Sequence, residues 1–324
     1  MRRVVSLLIM LKGISVSVDA VAEVPFNGRS GEGLLAAVAG ASRPSAVVDR
    51  SRLTFRSVDE FTGAVVEVVD GSLPSGYEWG TFVPVEWWGN SEVETSVAAD
   101  FYNLLPVDSD VRKYRRDLVP GVAVESVSFS NDFWKAGRGV VYGVETELYV
   151  PPERLRGELA RAVMYVSTVY HVDNWSPRGF MMMSGRAYPG LTDYAIGVLM
   201  GWHRAYPPSM AECEKNSRGE AVQGNRNPFV DYPELAEYLW GEKRGEVFRV
   251  EGEPEPLRSM YKLTDASIDL YSPEIPNDAE WMVDGLPVSS RSLLPGDLGI
   301  GAHRLTYSSV STGERGMLVV KIEK

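Results

Sequence analysis

Histidine and cysteine are both scarce in this chain of 324 residues, with three of the first and one of the second. A lone Cys213 permits no intramolecular disulfide, so an oxidising compartment is allowed but not exploited. The histidines are His171, His203 and His303, so the first half of the chain has no imidazole at all. Positive charge is short too: 33 Lys and Arg stand against 44 Asp and Glu, a formal net charge of -11. An acidic chain is a poor partner for a polyanion, because nucleic-acid binding gains from neutralised phosphates; any such site must be a local basic patch. Beyond the N-terminus no apolar run reaches the length of a membrane span.

What is present is the composition of a globular protein, 44% hydrophobic and 24% charged, at a length that suits a main domain and a smaller one. Met1-Arg2-Arg3 is a short basic start. Val4 to Val18 is mostly apolar, interrupted by Lys12, and Ala20-Val21-Ala22 has the small-x-small form of a processing site. These features point to a signal peptide cleaved after Ala22 and to a secreted, periplasmic or cell-surface destination, with a buried first element as the alternative. Gly31–Ala41 reads as a short helix with Leu34, Leu35 and Val38 on one face. Ser51–Asp70 reads as a buried strand ending in an Asp70-Gly71 turn, and Val122–Ser130 as another strand. Helices are expected over Pro151–Tyr170, Leu191–Arg204, Ser209–Val222 and Pro233–Trp240. In the first, Glu158 and Arg161 have i,i+3 spacing and can pair, read as structural ahead of a site role. His203, next to Trp202, reads as a packed, hydrogen-bonded histidine. Met181-Met182-Met183 reads as packing material.

Glu251-Gly252-Glu253-Pro254-Glu255-Pro256 reads as a linker. After it the hydrophobic period changes to two, with alternation at Ser267–Tyr271, Trp281–Gly285, His303–Tyr307 and Met317–Ile322. Several short strands between turn signals predict a small all-β, immunoglobulin-like sandwich over 258–324, in which His303 is simply a strand residue.

The longest informative stretch is Gln223-Gly224-Asn225-Arg226-Asn227-Pro228-Phe229-Val230-Asp231-Tyr232-Pro233-Glu234-Leu235. Gly224 suits a backbone angle that other residues resist, Pro233 suits the first turn of a helix, and Asp231 and Glu234 have capping-box spacing. This stretch resembles the signature of the bacterial endonuclease I family, secreted or periplasmic metal-dependent nucleases with a ββα-metal core. Phe26–Gly31, Asp100-Phe101-Tyr102-Asn103-Leu104-Leu105-Pro106, Val111–Asp117 and Arg156–Tyr165 are similar to other family segments, with Tyr102 where the family has His and Glu158 where it has Asp. The resemblance covers roughly Val24 to Phe248. It implies an α+β, ββα-metal domain over 23–248, followed by a linker at 249–257 and the β tail, and phosphodiester hydrolysis of DNA or RNA.

The stretch that should carry that chemistry departs from the family. Tyr77-Glu78-Trp79-Gly80-Thr81-Phe82-Val83-Pro84-Val85-Glu86-Trp87-Trp88-Gly89 matches the segment in which adjacent Glu and His precede a proline and an aromatic pair. Gly80 stands where the resemblance implies a metal-holding Glu, and Thr81 where it implies the general-base His. A hydroxyl has no useful pKa near neutrality, so Thr81 is expected to be inactive, and Gly80 offers no oxygen to a hard cation. Asp117 stands at the place of a metal-binding Asn and is the one plausible ligand left for Mg²⁺; otherwise it is a solvated acid in a charged turn. Arg112, Lys113, Arg115 and Arg116 form the densest basic cluster, open to reading as phosphate contacts or as an ordinary charged face. Glu78 and Glu86 are the only nearby carboxylates that could activate water. Two functions remain in view: a divergent metal-dependent nuclease acting on nucleic acid without a small-molecule cofactor, and a pseudoenzyme, a nuclease-derived binding or surface protein.

Overall fold

The computed structural model describes residues 24–59, 64–89, 96–131, 133–170, 175–250, 257–265, 268–270, 272, 274–276, 278–288 and 292–324. The expected signal peptide, most of the expected linker and His171 lie outside these residues. The described part is mixed α and β, with two separate hydrophobic cores, one drawn from Phe26 to Phe248 and one from Tyr261 to Ile322.

In the first, helix α1 (Gly31–Ala41) buries Leu34, Leu35 and Val38, the face its periodicity predicts. The expected long strand over 51–70 is instead an antiparallel pair, β1 (Phe55–Val58) and β2 (Val65–Val68). The Asp59 amide donates to the Ala64 carbonyl at 2.8 Å and closes the connection. Only one face of the expected buried strand is covered: Val66 and Val68 are buried, but Val65 and Val69 are exposed. The Asp70-Gly71 turn is present, both residues having positive φ. Strands β3 (Tyr77–Thr81) and β4 (Leu104–Asp108) form an antiparallel ribbon, and β4 runs straight into helix α2 (Ser109–Arg115). Strands β5 (Val119–Pro120), β6 (Ser126–Ser130), β7 (Lys135–Val141) and β8 (Val144–Val150) make a sheet in the order β5-β8-β7-β6.

Helices α3 (Glu153–Val169) and α4 (Asp193–Ala205) supply much of the apolar core, while α5 (Met210–Gln223) buries the polar Glu212, Lys215, Asn216 and Gln223 against it. Leu155, Leu159, Val163 and Val166 of α3 are buried, as their spacing requires. The expected Glu158–Arg161 pair does not form. Both side chains face α5, where Arg161 makes a bidentate ion pair with Glu212 at 2.5 and 2.6 Å and Glu158 takes Lys215 at 2.7 Å. The reason is burial: Arg161 and Glu212 are almost sealed from solvent, and a buried charge needs a partner facing it across the helix interface.

The signature stretch turns out to be scaffold. Gly224 ends α5 in the left-handed conformation, and Asn227 caps the short helix α6 (Pro228–Asp231) by accepting from the Phe229 amide. The Asp231 carboxylate instead accepts from Arg226 and Asn216. Helix α7 (Leu235–Leu239) starts after Glu234 with no side-chain cap. Asp100 sits at the centre of a buried network and accepts from the Tyr102 amide, Gln223 Nε2 and the hydroxyls of Tyr165 and Tyr170. Burial pushes its carboxyl pKa up, against the pull of those four donors. His203 donates from Nε2 to the Pro233 carbonyl at 2.8 Å, tying α4 to the same region, as a packed histidine should.

The tail has strands β9 (Met260–Lys262), β10 (Ile268–Asp269), β11 (Ala279–Val283), β12 (Leu286–Val288), β13 (Ser292–Leu293), β14 (Gly301–Ser309) and β15 (Arg315–Glu323). Five form one sheet in the order β12-β11-β14-β15-β9, and β10 pairs with β13. Tyr261, Trp281, Leu305, Val320 and Ile322 fill its core.

Candidate nucleic-acid interface

The β3–β4 ribbon and α2 form one wall of a cleft of about 480 Å³. The register sets Thr81 opposite Leu104 and Gly80 opposite Leu105. The segment at Thr81 is held from every side. Asn103 accepts the Val83 amide at 2.8 Å on its side-chain oxygen and donates to the carbonyls of Val83 and Val97. Its main-chain carbonyl takes the Phe82 amide. Arg115 reaches in from α2 and donates to the carbonyls of Thr81 (3.2 Å) and Phe82 (2.7 Å) and to the Tyr149 hydroxyl. Lys215 donates to the Leu104 carbonyl from behind.

Thr81 is half-buried on the cleft wall, and its hydroxyl is the only reactive group at this position. Gly80 is buried, and a β-carbon there would lie 2.7 Å from Val107 Cγ1 and 3.0 Å from Cγ2. Space next to the backbone at Gly80 is therefore filled by Val107, itself buried. Asp117 does not line this cleft; its carboxylate accepts from Arg178 Nε at 3.0 Å, and its carbonyl accepts from the Trp87 indole at 2.9 Å. Among the described residues no three His, Cys, Asp or Glu side chains are grouped so as to hold a metal ion. The groups at the positions that the resemblance assigns to the metal, a glycine and an arginine-paired aspartate, do not fit a hard divalent cation, which takes several oxygens, and the cleft carboxylate Glu78 is paired with Arg112.

The basic cluster divides. Arg112 and Lys113 lie on the cleft and are exposed, Arg112 being paired with Glu78 at 3.1 Å. Arg116 also faces the cleft and pairs with Glu147 at 3.5 Å. Arg115, by contrast, is 5% exposed and spent on main-chain carbonyls. The sequence reading overlooked Arg50, which also lines the cleft, donates to the Ala98 carbonyl and stands 5.7 Å over the Trp79 ring. Nothing in its spacing announces it, since it comes from a separate single turn at Arg50–Arg52. Glu78 and Glu86 complete the lining. Chemically, the cleft offers dispersed cations, two carboxylates and a hydroxyl.

Among the described residues no helix is long and apolar enough to cross a membrane. The family profile described as Endonuclease I matches residues 35–234. The chain is 24% identical over 155 residues to an extracellular ribonuclease of Bacillus amyloliquefaciens, covering 47% of this chain and 50% of that protein. It is 26% identical over 151 residues to an extracellular deoxyribonuclease of Aeromonas hydrophila, covering 44% and 54%. A periplasmic deoxyribonuclease of the same organism is 26% identical over 147 residues, covering 44% and 52%. The chain thus spans about half the length of the curated relatives it matches. With the profile spanning well over half of the chain, across both the β3–β4 cleft and the buried signature stretch, this protein belongs to the endonuclease I family.

Proposed function

We propose that the cleft binds the phosphodiester backbone of a nucleic acid through Arg50, Arg112, Lys113 and Arg116, and that this divergent member does so without the family's metal-dependent hydrolysis. The observation that carries this reading is a cleft lined by four exposed cations, Arg112 and Arg116 paired with Glu78 and Glu147, beside Gly80 and Thr81, which offer neither a base nor a carboxylate. The β3–β4–α2 arrangement supports the ββα-metal reading of the domain. Gly80, Thr81 and the Arg178-bound Asp117 supply neither the base nor the oxygen ligands that reaction needs. Losing a positioned general base alone costs about 10²–10⁴-fold in rate. The names of the relatives support nucleic acid as the partner, and their extracellular or periplasmic address supports export. The immunoglobulin-like reading of the tail rests on its mostly antiparallel strands, β9 alone joining β15 in parallel, and would make it a spacer or attachment module.

A metal reading remains for Asp117: to bind Mg²⁺ its carboxylate would have to exchange Arg178 for the cation. The test is plasmid and RNA cleavage with Mg²⁺ or Mn²⁺, beside gel retention of the same nucleic acids in EDTA. Retention without cutting is expected. Cutting that EDTA stops and that disappears in Asp117→Ala would overturn the non-catalytic reading and establish a nuclease with a rebuilt site.

A further inference from the structure

The segment following α3 carries chemistry that the cleft does not use. Gly179 is buried against the single turn at Val85–Trp87, and a β-carbon there would stand 2.3 Å from the Trp87 carbonyl oxygen. Only glycine lets the segment press this closely on the turn whose Val85 and Glu86 line the cleft. Ser176 fastens the same place, its amide donating to the Trp87 carbonyl at 2.8 Å and its hydroxyl to the Glu86 carbonyl at 2.7 Å. The residue after Gly179 is Phe180, whose aromatic side chain is 48% exposed.

Phe180 lines a second, open concavity of about 370 Å³ together with Tyr142, Arg186 and Arg244. Tyr142 sits at the β7–β8 turn with φ 52° and is 63% exposed. Its hydroxyl accepts the Tyr194 amide at 2.8 Å, and its ring meets Tyr194 edge-on at 6.3 Å. The ring is thus held in position while most of its surface meets solvent. Phe180 is positioned as well: Gly185, at φ 65°, passes so close that a β-carbon there would lie 2.6 Å from Phe180 Cε1. Arg244 is held by Tyr188, with Nε donating to its hydroxyl at 3.2 Å and the guanidinium 5.2 Å over its ring. One carboxylate, Asp193, faces these two guanidiniums. Oriented exposed rings interleaved with cations are what unstacked bases bind: every base has a π-face, and the backbone beside it carries negative charge.

We propose that this concavity is a nucleobase subsite for single-stranded nucleic acid whose phosphates lie in the neighbouring cleft; the proposal rests on that reading of the cleft. A duplex keeps its base faces stacked and cannot present them to Tyr142 and Phe180, so the subsite selects unpaired strands. The link to the cleft runs through Met181, next to Phe180, whose sulfur accepts from Thr146, next to the Glu147 that pairs with Arg116 on the cleft.

The test is fluorescence anisotropy of the full chain in EDTA with a labelled oligothymidylate and an abasic phosphodiester strand of the same length. The base-bearing strand is expected to bind about tenfold more tightly, the effect of one good stacking platform. Tyr142→Ala and Phe180→Ala should lower its affinity to near the abasic level and leave the abasic strand unchanged. Tyr142→Phe and Phe180→Tyr, which keep the rings, should preserve it. Equal binding of both strands by wild type, weakened by Arg112→Ala, would sink the base subsite and leave the phosphate cleft standing. So would alanine variants that lose both strands equally. Binding of neither strand would overturn the cleft reading and the subsite with it.

Discussion

Filling Gly80 should reveal how firmly the reaction centre has been closed. An added β-carbon would lie 2.7, 3.0 and 3.4 Å from Val107 Cγ1, Cγ2 and Cβ. Carbon pairs prefer about 3.5–4.0 Å, so the overlap with the two methyls is severe and the overlap with Cβ slight. Overpacking of this kind costs about 1–3 kcal/mol, less the fraction of a kcal/mol that a strand gains when glycine gives way to alanine. Gly80→Ala is therefore expected to destabilise the protein by about 1–2 kcal/mol. Val107→Ala removes a buried side chain and is expected to cost about 2 kcal/mol. Since the second change removes the two atoms that the first collides with, the double variant should be less destabilised than the sum by about 1 kcal/mol or more. Urea unfolding followed by tryptophan fluorescence measures all three. The same collision says that Gly80→Glu with Thr81→His does not restore metal-dependent cleavage while Val107 is intact. Additivity within about 0.4 kcal/mol, or EDTA-sensitive plasmid cleavage by that pair of substitutions alone, would refute the reasoning.

Glu212→Gln should destabilise the protein by about 3–5 kcal/mol, seen as a lowered urea midpoint, because Arg161 is left charged and buried without its partner. Nucleic-acid affinity should fall with a log–log salt slope of about -3, from four cleft cations at about -0.7 to -0.9 each, and Arg112→Ala with Lys113→Ala should flatten it by about half. Asp117 should gain metal affinity when Arg178 is removed: excess Mg²⁺ is expected to raise the melting temperature of Arg178→Ala and not that of wild type. The two described histidines should respond to pH with opposite signs. Burial holds His203 below its ordinary 6.5, so its contribution is present above that value and is lost as pH falls through the lowered folded value. The Asp284 carboxylate at 2.8 Å from Nδ1 raises His303, whose Nε2 faces the Gly299 carbonyl, so its contribution is present below 6.5 and lost as pH rises through the raised folded value. Hydrogen exchange of α4 and β14 at several pH values separates them, with His203→Gln and His303→Gln each abolishing its own dependence.

The opposite behaviour of scaffold and site explains what could be read from the sequence. Helix faces were legible because their apolar spacing is local, as in Leu155, Leu159 and Val163. The signature stretch was legible as a family mark, but its work was not. Gln223 and Asn225 serve Asp100 and Tyr165 across more than 50 positions of chain, and no spacing rule reaches that far. The same distance hid the exchange of partners by Glu158 and Arg161, since α3 and α5 meet only in the folded protein. The absence of the base that the resemblance implies was visible at once, as Thr81, because a missing chemistry is a property of one side chain. Its surroundings were not visible: Val107 closing on Gly80, Arg178 taking Asp117, and Arg115 diverted to main-chain carbonyls. These three contacts share a direction. Each satisfies a group in or near the cleft by packing or pairing within the protein. On the proposed reading, restoring the chemistry therefore needs more than replacing Gly80 and Thr81, because Val107 fills the space beside Gly80 and Arg178 holds Asp117.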